Sequence, residues 1–182
     1  MSYPTPDEVE NCGTKEAKKL AKQFVTIKQN ELTFSMAHDE QSFLCLEEQN
    51  SLLKEKIKEY QEKLKNLPSR SNSLPVRKRY NHEKFLEILR KVKNIREKHK
   101  VFLNKKNEAM QMRESAKLGL ASFEKRLATE GEDAKLILKE MWADERFTCW
   151  SKVMFGQLEE EWMNLKLNQQ MGRCLVEMER VR

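Results

Sequence analysis

The apolar residues of this chain recur at alternating steps of three and four along two long stretches. The first seam runs Leu32, Met36, Asp39, Phe43, Leu46, Asn50, Leu53, Ile57, Tyr60, Leu64 and Leu67. The second runs Phe85, Ile88, Val92, Ile95, His99, Phe102, Lys106, Ala109, Arg113, Ala116, Leu120, Phe123 and Leu127. A period of about 3.5 residues keeps one stripe facing a neighbouring helix through many turns, so both stretches predict long coiled-coil helices. Thr14 suits the N-cap of a helix ahead of the first seam, and no Pro or Gly follows it before Asn66. Leu20, Phe24 and Ile27 are slightly out of phase with the seam from Leu32, which allows a stutter, bend or break near residues 28–32.

Helix-breaking residues divide the rest. Residues 1–13 carry two prolines and no periodicity and read as disordered. Residues 67–80, with two prolines and three serines, read as a linker. Asn81 caps a second helix over residues 81–130, in which Gly119 costs roughly 1 kcal/mol relative to Ala. Gly131 suits a left-handed C-cap and Asp133 the start of a third helix, residues 132–180. The expected fold is all-α: three long coiled-coil helices forming an antiparallel hairpin or an elongated three-helix bundle. Pairing in trans as a parallel dimer is the alternative. Leu44, Leu52, Leu89, Leu103 and Met110 lie beside the seams and favour the wider stripe of a bundle.

Charge changes this picture more than composition does. Charged residues are 35% and apolar residues 38%, the balance of solvated helices with narrow stripes. Residues 68–106 hold thirteen bases and three acids, so the middle of the chain is strongly basic. Arg77, Lys78, Arg79, Lys91 and Lys93 form its candidate patch, able to attract nucleic acid, an acidic membrane surface or acidic protein tails. The bland reading is a solvated face that pairs with acids on neighbouring helices.

Several residues invite a specific role. Asn50 interrupts the first seam and acts either as a register device in a dimer or as a wet position at a bundle margin. His99, Lys106 and Arg113 interrupt the second, where three buried cations need acidic partners; Asp39, Glu47 and Glu48 on an antiparallel first helix are candidates. Phe147, Trp150, Met154, Leu158, Trp162 and Leu165 make one stripe on the third helix, read as a partner-docking surface or as bundle core. Within the linker, Arg70-Ser71-Asn72-Ser73-Leu74-Pro75 resembles the ligand of phosphoserine-binding 14-3-3 proteins. That resemblance implies phosphorylation at Ser73 and a phosphoserine-reading partner. Pro75 to Arg79 also resembles a short nuclear-localisation signal.

Chemistry is not evident. Cys12, Cys45, Cys149 and Cys174 are scattered, His38, His82 and His99 stand away from them, and no nucleotide-binding, nucleophile-elbow or zinc-protease motif occurs. No enzyme activity, metal or cofactor is expected. With no signal peptide and no long apolar run, a cytoplasmic protein, cytoskeleton-associated or nuclear, is expected. The expected function is a scaffold or adaptor joining proteins through helical surfaces, with a homodimer open. The other reading is a nucleic-acid- or microtubule-binding protein using the basic block 70–106.

Overall fold

The second seam, Phe85 to Leu127, lies within one helix because nothing inside it breaks one, and most of the first seam, Phe43 to Leu64, lies within another. The computed structural model describes residues 2–33, 39–66, 76–149 and 152–181, excluding the side chains of residues 39–40, 76–80, 149 and 152–153. The described chain is all-helical, with no strand among those residues. Its elements are α1 (Pro6–Val9), α2 (Thr14–Leu32), α3 (Asp39–Lys65), α4 (Val76–Ala128), α5 (Ala134–Ala143), α6 (Glu145–Cys149), α7 (Lys152–Leu165) and α8 (Leu167–Val181). None is long and apolar enough to cross a membrane among the described residues.

The first expected helix appears as α2 and α3, and residues 34–38 between them lie outside the described residues, as do Ser73 and the rest of 67–75. The third expected helix is divided among α5 to α8, and two of its breaks have local causes. Asp144 is extended, and its carboxylate accepts hydrogen bonds from the Arg146 backbone N–H (3.0 Å) and from the Arg146 guanidinium. A side chain that satisfies the backbone two residues ahead starts a new helix rather than continuing the old one. Lys166 has φ +50°, in the left-handed region, and the Gln170 side chain donates to the Leu165 carbonyl at 2.9 Å. That bond satisfies one of the carbonyls left open where α7 ends.

The helices form two compact units, residues 1–36 with 105–159 and residues 37–104 with 160–182. In the first unit α2 packs on α5, and Phe24 stands at 4.8, 6.0 and 6.2 Å from the rings of Tyr3, Trp142 and Phe147. Residues 2–13, which read as disordered in the sequence, supply buried Pro4 and Val9 here. Trp142 Nε1 donates to the Pro4 carbonyl at 2.7 Å, and Lys135 Nζ donates to the Glu10 carbonyl at 3.2 Å. Lys28 is only 7% exposed, lying over the Tyr3 and Phe147 rings and pairing with Glu31 at 3.3 Å. Ring faces and one carboxylate replace the water it loses. An added Cβ at Gly119 would lie 2.5 Å from the Arg146 guanidinium carbon, the far end of a flexible side chain that can move aside.

In the second unit the register is legible from paired residues. Tyr60 lies 4.3 Å from Phe85 between ring centres, Asn50 bonds Arg96, and Phe43 meets Phe102, so α3 and α4 run antiparallel. Lys56 pairs with Glu179 and Ser42 with Asn168, so α8 runs parallel to α3. Three seams meet: Phe43, Leu46, Leu53, Ile57 and Tyr60 on α3, Phe85 to Phe102 on α4, and Leu167, Met171, Cys174, Met178 and Val181 on α8. Leu53 is wholly buried while its neighbour Leu52 is 51% exposed. Leu53→Ala should therefore cost about 2–5 kcal/mol and Leu52→Ala at most about 0.5 kcal/mol, read from urea unfolding of the full chain. Equal losses would mean that the seam faces another way.

Candidate functional site

The second unit places polar groups inside its seams, and these define its most specific geometry. Arg96 Nε donates to Asn50 Oδ1 at 2.8 Å, joining α4 to α3 one layer from Gln49. Arg96 Nη2 and Gln49 Oε1 are buried with no hydrogen-bond partner, and burial pulls the Arg96 guanidinium below its ordinary pKa. A guanidinium held in a partly apolar setting gains from an acceptor, and Asn50 of α3 supplies one. The pairing lies within one chain.

One turn above, His99 is enclosed by aromatic rings. Its ring centre lies 6.1 Å from Phe43 and 6.0 Å from Trp162, and its Nε2 is buried without a partner. Burial pulls its pKa down, and the Glu47 carboxylate of α3 opposes that shift only in part. Glu47 thus supplies part of the acidic match expected for His99. Arg113, in the first unit, has the Phe155 ring 5.4 Å from its guanidinium carbon and the Glu114 carboxylate 4.0 Å from its Nε. A planar cation can be accommodated by a ring face as well as by a carboxylate.

At the α7–α8 junction, Ser42 Oγ accepts from Trp162 Nε1 at 2.8 Å and from Asn168 Nδ2 at 3.0 Å. These bonds fix the indole over Phe43 and Phe102, at 4.3 and 5.1 Å between ring centres. Beside them opens a cleft of about 320 Å³ lined by Ser42, Trp162, Met163, Lys166, Leu167 and Asn168. Met163 is 60% exposed at its edge. A second cleft, about 250 Å³, lies between α4 and α8 and is lined by Lys91, Asn94, Ile95, Gln170, Arg173, Cys174 and Glu177. The Cys174 thiol on its floor is pushed up by burial and by Glu177, so it stays protonated. No cluster of three or more His, Cys, Asp or Glu side chains suited to a metal occurs among the described residues.

The stripe read as a docking surface is turned largely inward. Phe147 and Leu158 are buried in the first unit, Trp162 is buried in the second, and Met154 and Leu165 are half-buried. Trp150 lies outside the described residues. Of the basic patch, Lys91 and Lys93 are exposed on α4, Lys91 with Glu177 at 3.4 Å; the side chains of Arg77, Lys78 and Arg79 lie outside the described residues. Sequence reasoning passed over the α8 seam, although Leu167, Met171, Cys174, Met178 and Val181 keep the alternating spacing. The phase jump at Lys166 hid it. Comparison with protein-family models, curated proteins and solved structures returned no match.

Two measurements check the polar layer. Asn50→Ala should cost about 1–3 kcal/mol by leaving Arg96 without its acceptor, while Asn50→Leu with Arg96→Met should recover most of that loss in a double-mutant cycle. Additive losses would show that the pair is not coupled. For His99 the folded pKa lies below the unfolded value, so the unfolded chain binds more protons as pH falls through about 6.5. Stability should be greatest above that value and decline below it, and His99→Leu should flatten the decline. A slope unchanged in the variant would assign the pH dependence elsewhere.

Proposed function

We propose that this chain is a non-enzymatic helical adaptor. Its coiled-coil seams hold docking faces in register for other proteins, in an assembly of cytoskeletal, centrosomal, ciliary or kinetochore type. The carrying observation is the cleft at the α7–α8 junction, where exposed Met163 stands beside an indole fixed by Ser42. A flexible thioether beside a fixed aromatic wall accepts an apolar side chain of a partner, and Lys166 and Asn168 at the same cleft supply polar groups that orient it. The surrounding helices also leave Leu44, Val101 and Val176 more than half exposed, which adds apolar area to outward faces.

A second reading, a nucleic-acid- or microtubule-binding protein, is supported by exposed Lys91 and Lys93 on α4. Binding of that kind falls steeply as salt rises, because released counterions drive it.

Met163→Glu should lower capture of proteins recovered by the full wild-type chain by at least about tenfold, with thermal stability unchanged. Lys166→Gly keeps the left-handed backbone while removing the ammonium, and should weaken capture less. Undiminished capture by Met163→Glu would remove the cleft from this role.

A further inference from the structure

The two banks of the α4–α8 groove carry charge at one helical period. On α4, Lys84, Lys91 and Lys98 are seven residues apart, and on α8 Arg173 and Arg180 are seven residues apart. Lys91 faces Glu177 across the groove at 3.4 Å, which fixes these rows on the side where α4 meets α8. Acids answer them incompletely: Glu177 meets Lys91 and Glu87 lies 3.7 Å from Lys84, while Lys98, Arg173 and Arg180 pair with no described acid. The floor is apolar, with Ile95 and Cys174 beneath the opening of about 250 Å³.

The same unit carries the opposite pattern on its far side. The outward face of α3 reads Cys45, Glu48, Leu52, Glu55, Glu59 and Glu62, with no base among them. Glu48, Glu55 and Glu62 are exposed, seven residues apart, and pair with no described base; Leu52 is 51% exposed in their midst. Seven residues of α-helix advance roughly 10.5 Å, so acids on α3 and lysines on α4 repeat at equal steps. Backbone phosphates of nucleic acid recur at closer and different intervals, roughly 3.4 Å along the axis for each strand. The periodicity therefore favours a helix as occupant over a nucleic acid.

We infer that the occupant of the α4–α8 groove is the α3 face of a second copy of this chain. Leu52 enters over Ile95 and Cys174, while the glutamates flanking it meet Lys91, Lys98 and Arg173. Acidic face and basic groove lie on opposite sides of one unit, because α3 packs its seam towards α4 and α8 and turns these glutamates away from them. Each copy can thus offer both at once, and the contact is head-to-tail, adding copies in series instead of closing as a symmetric pair. Self-association of this kind goes beyond the adaptor reading and neither requires nor is required by capture of a different protein.

Light scattering on the full chain tests it. The wild-type mass should rise with concentration at about 0.05 M salt and fall back at about 0.5 M salt, where charges are screened within a few ångströms. Two variants are decisive, each first shown by circular dichroism to keep its helicity: Glu48→Lys with Glu55→Lys and Glu62→Lys, and Lys91→Glu with Lys98→Glu and Arg173→Glu. Each alone should weaken self-association by at least about tenfold in Kd. Mixed together they should associate again, since each then presents the charge that the other's groove or face needs. Wild-type chain that stays monomeric at about 1 mM, where even a millimolar Kd would show, overturns the inference. So does association that persists in both variants, which would place the interface on another face. Monomeric wild type that binds heparin would assign the groove to a polyanion instead.

Discussion

An apolar stripe on a long helix has to be covered, and in the second unit three such stripes cover one another. Phe43 to Tyr60 on α3, Phe85 to Phe102 on α4 and Leu167 to Val181 on α8 are each too narrow to make a core with one neighbour. Together they enclose Leu46, Leu53, Ile88, Met171 and Met178 almost completely. The directions of these three helices follow from that closure, and so does the placement of the groups that interrupt it. Asn50 interrupts the α3 seam, and Arg96, beside the α4 seam, donates a hydrogen bond to it across the two helices. His99 sits in the α4 seam only as a neutral ring among rings.

How much of this was legible beforehand depended on the range of the interaction. The seams of α3 and α4 could be read residue by residue, because period and burial are the same fact seen twice. The breaks at Asp144 and Lys166 were missed, since each depends on hydrogen bonds a few residues away and carries neither Pro nor a Gly signal. Missing Lys166 concealed the α8 seam and the cleft that Ser42 forms with Trp162 and Asn168, which lie 120 and 126 residues further along the chain. Arg113 illustrates a subtler limit. The sequence suggested acids on the first helix as partners for this cation, whereas its guanidinium meets the ring of Phe155 and its Nε the neighbouring Glu114.

The N-terminal residues show how little periodicity says about segments that bind by a few anchors. Two prolines and no repeat suggested an unstructured lead, yet Tyr3 lies against Phe24 and over Lys28, and Trp142 holds the Pro4 carbonyl. Burial and the neighbouring Glu31 carboxylate push the Tyr3 phenol well above its ordinary pKa, so it stays neutral beside a charged pair. Such an arm costs the ordering of a few residues and in return covers rings and an ammonium that α2 and α5 cannot cover by themselves.

Lys166 has a wider significance than ending one helix. An α-helix fixes the angular position of each residue from the one before, so a stripe that is wrongly aimed at its start stays wrong to its end. A single residue in the left-handed region costs roughly 1–2 kcal/mol, yet it lets α7 and α8 be aimed separately. Fifteen residues of α8 then begin from a new origin, and their stripe meets α3 and α4 squarely. Lys166 is in effect a joint between two independently phased rotors, and changes in α7 that would twist its face need not be carried into α8.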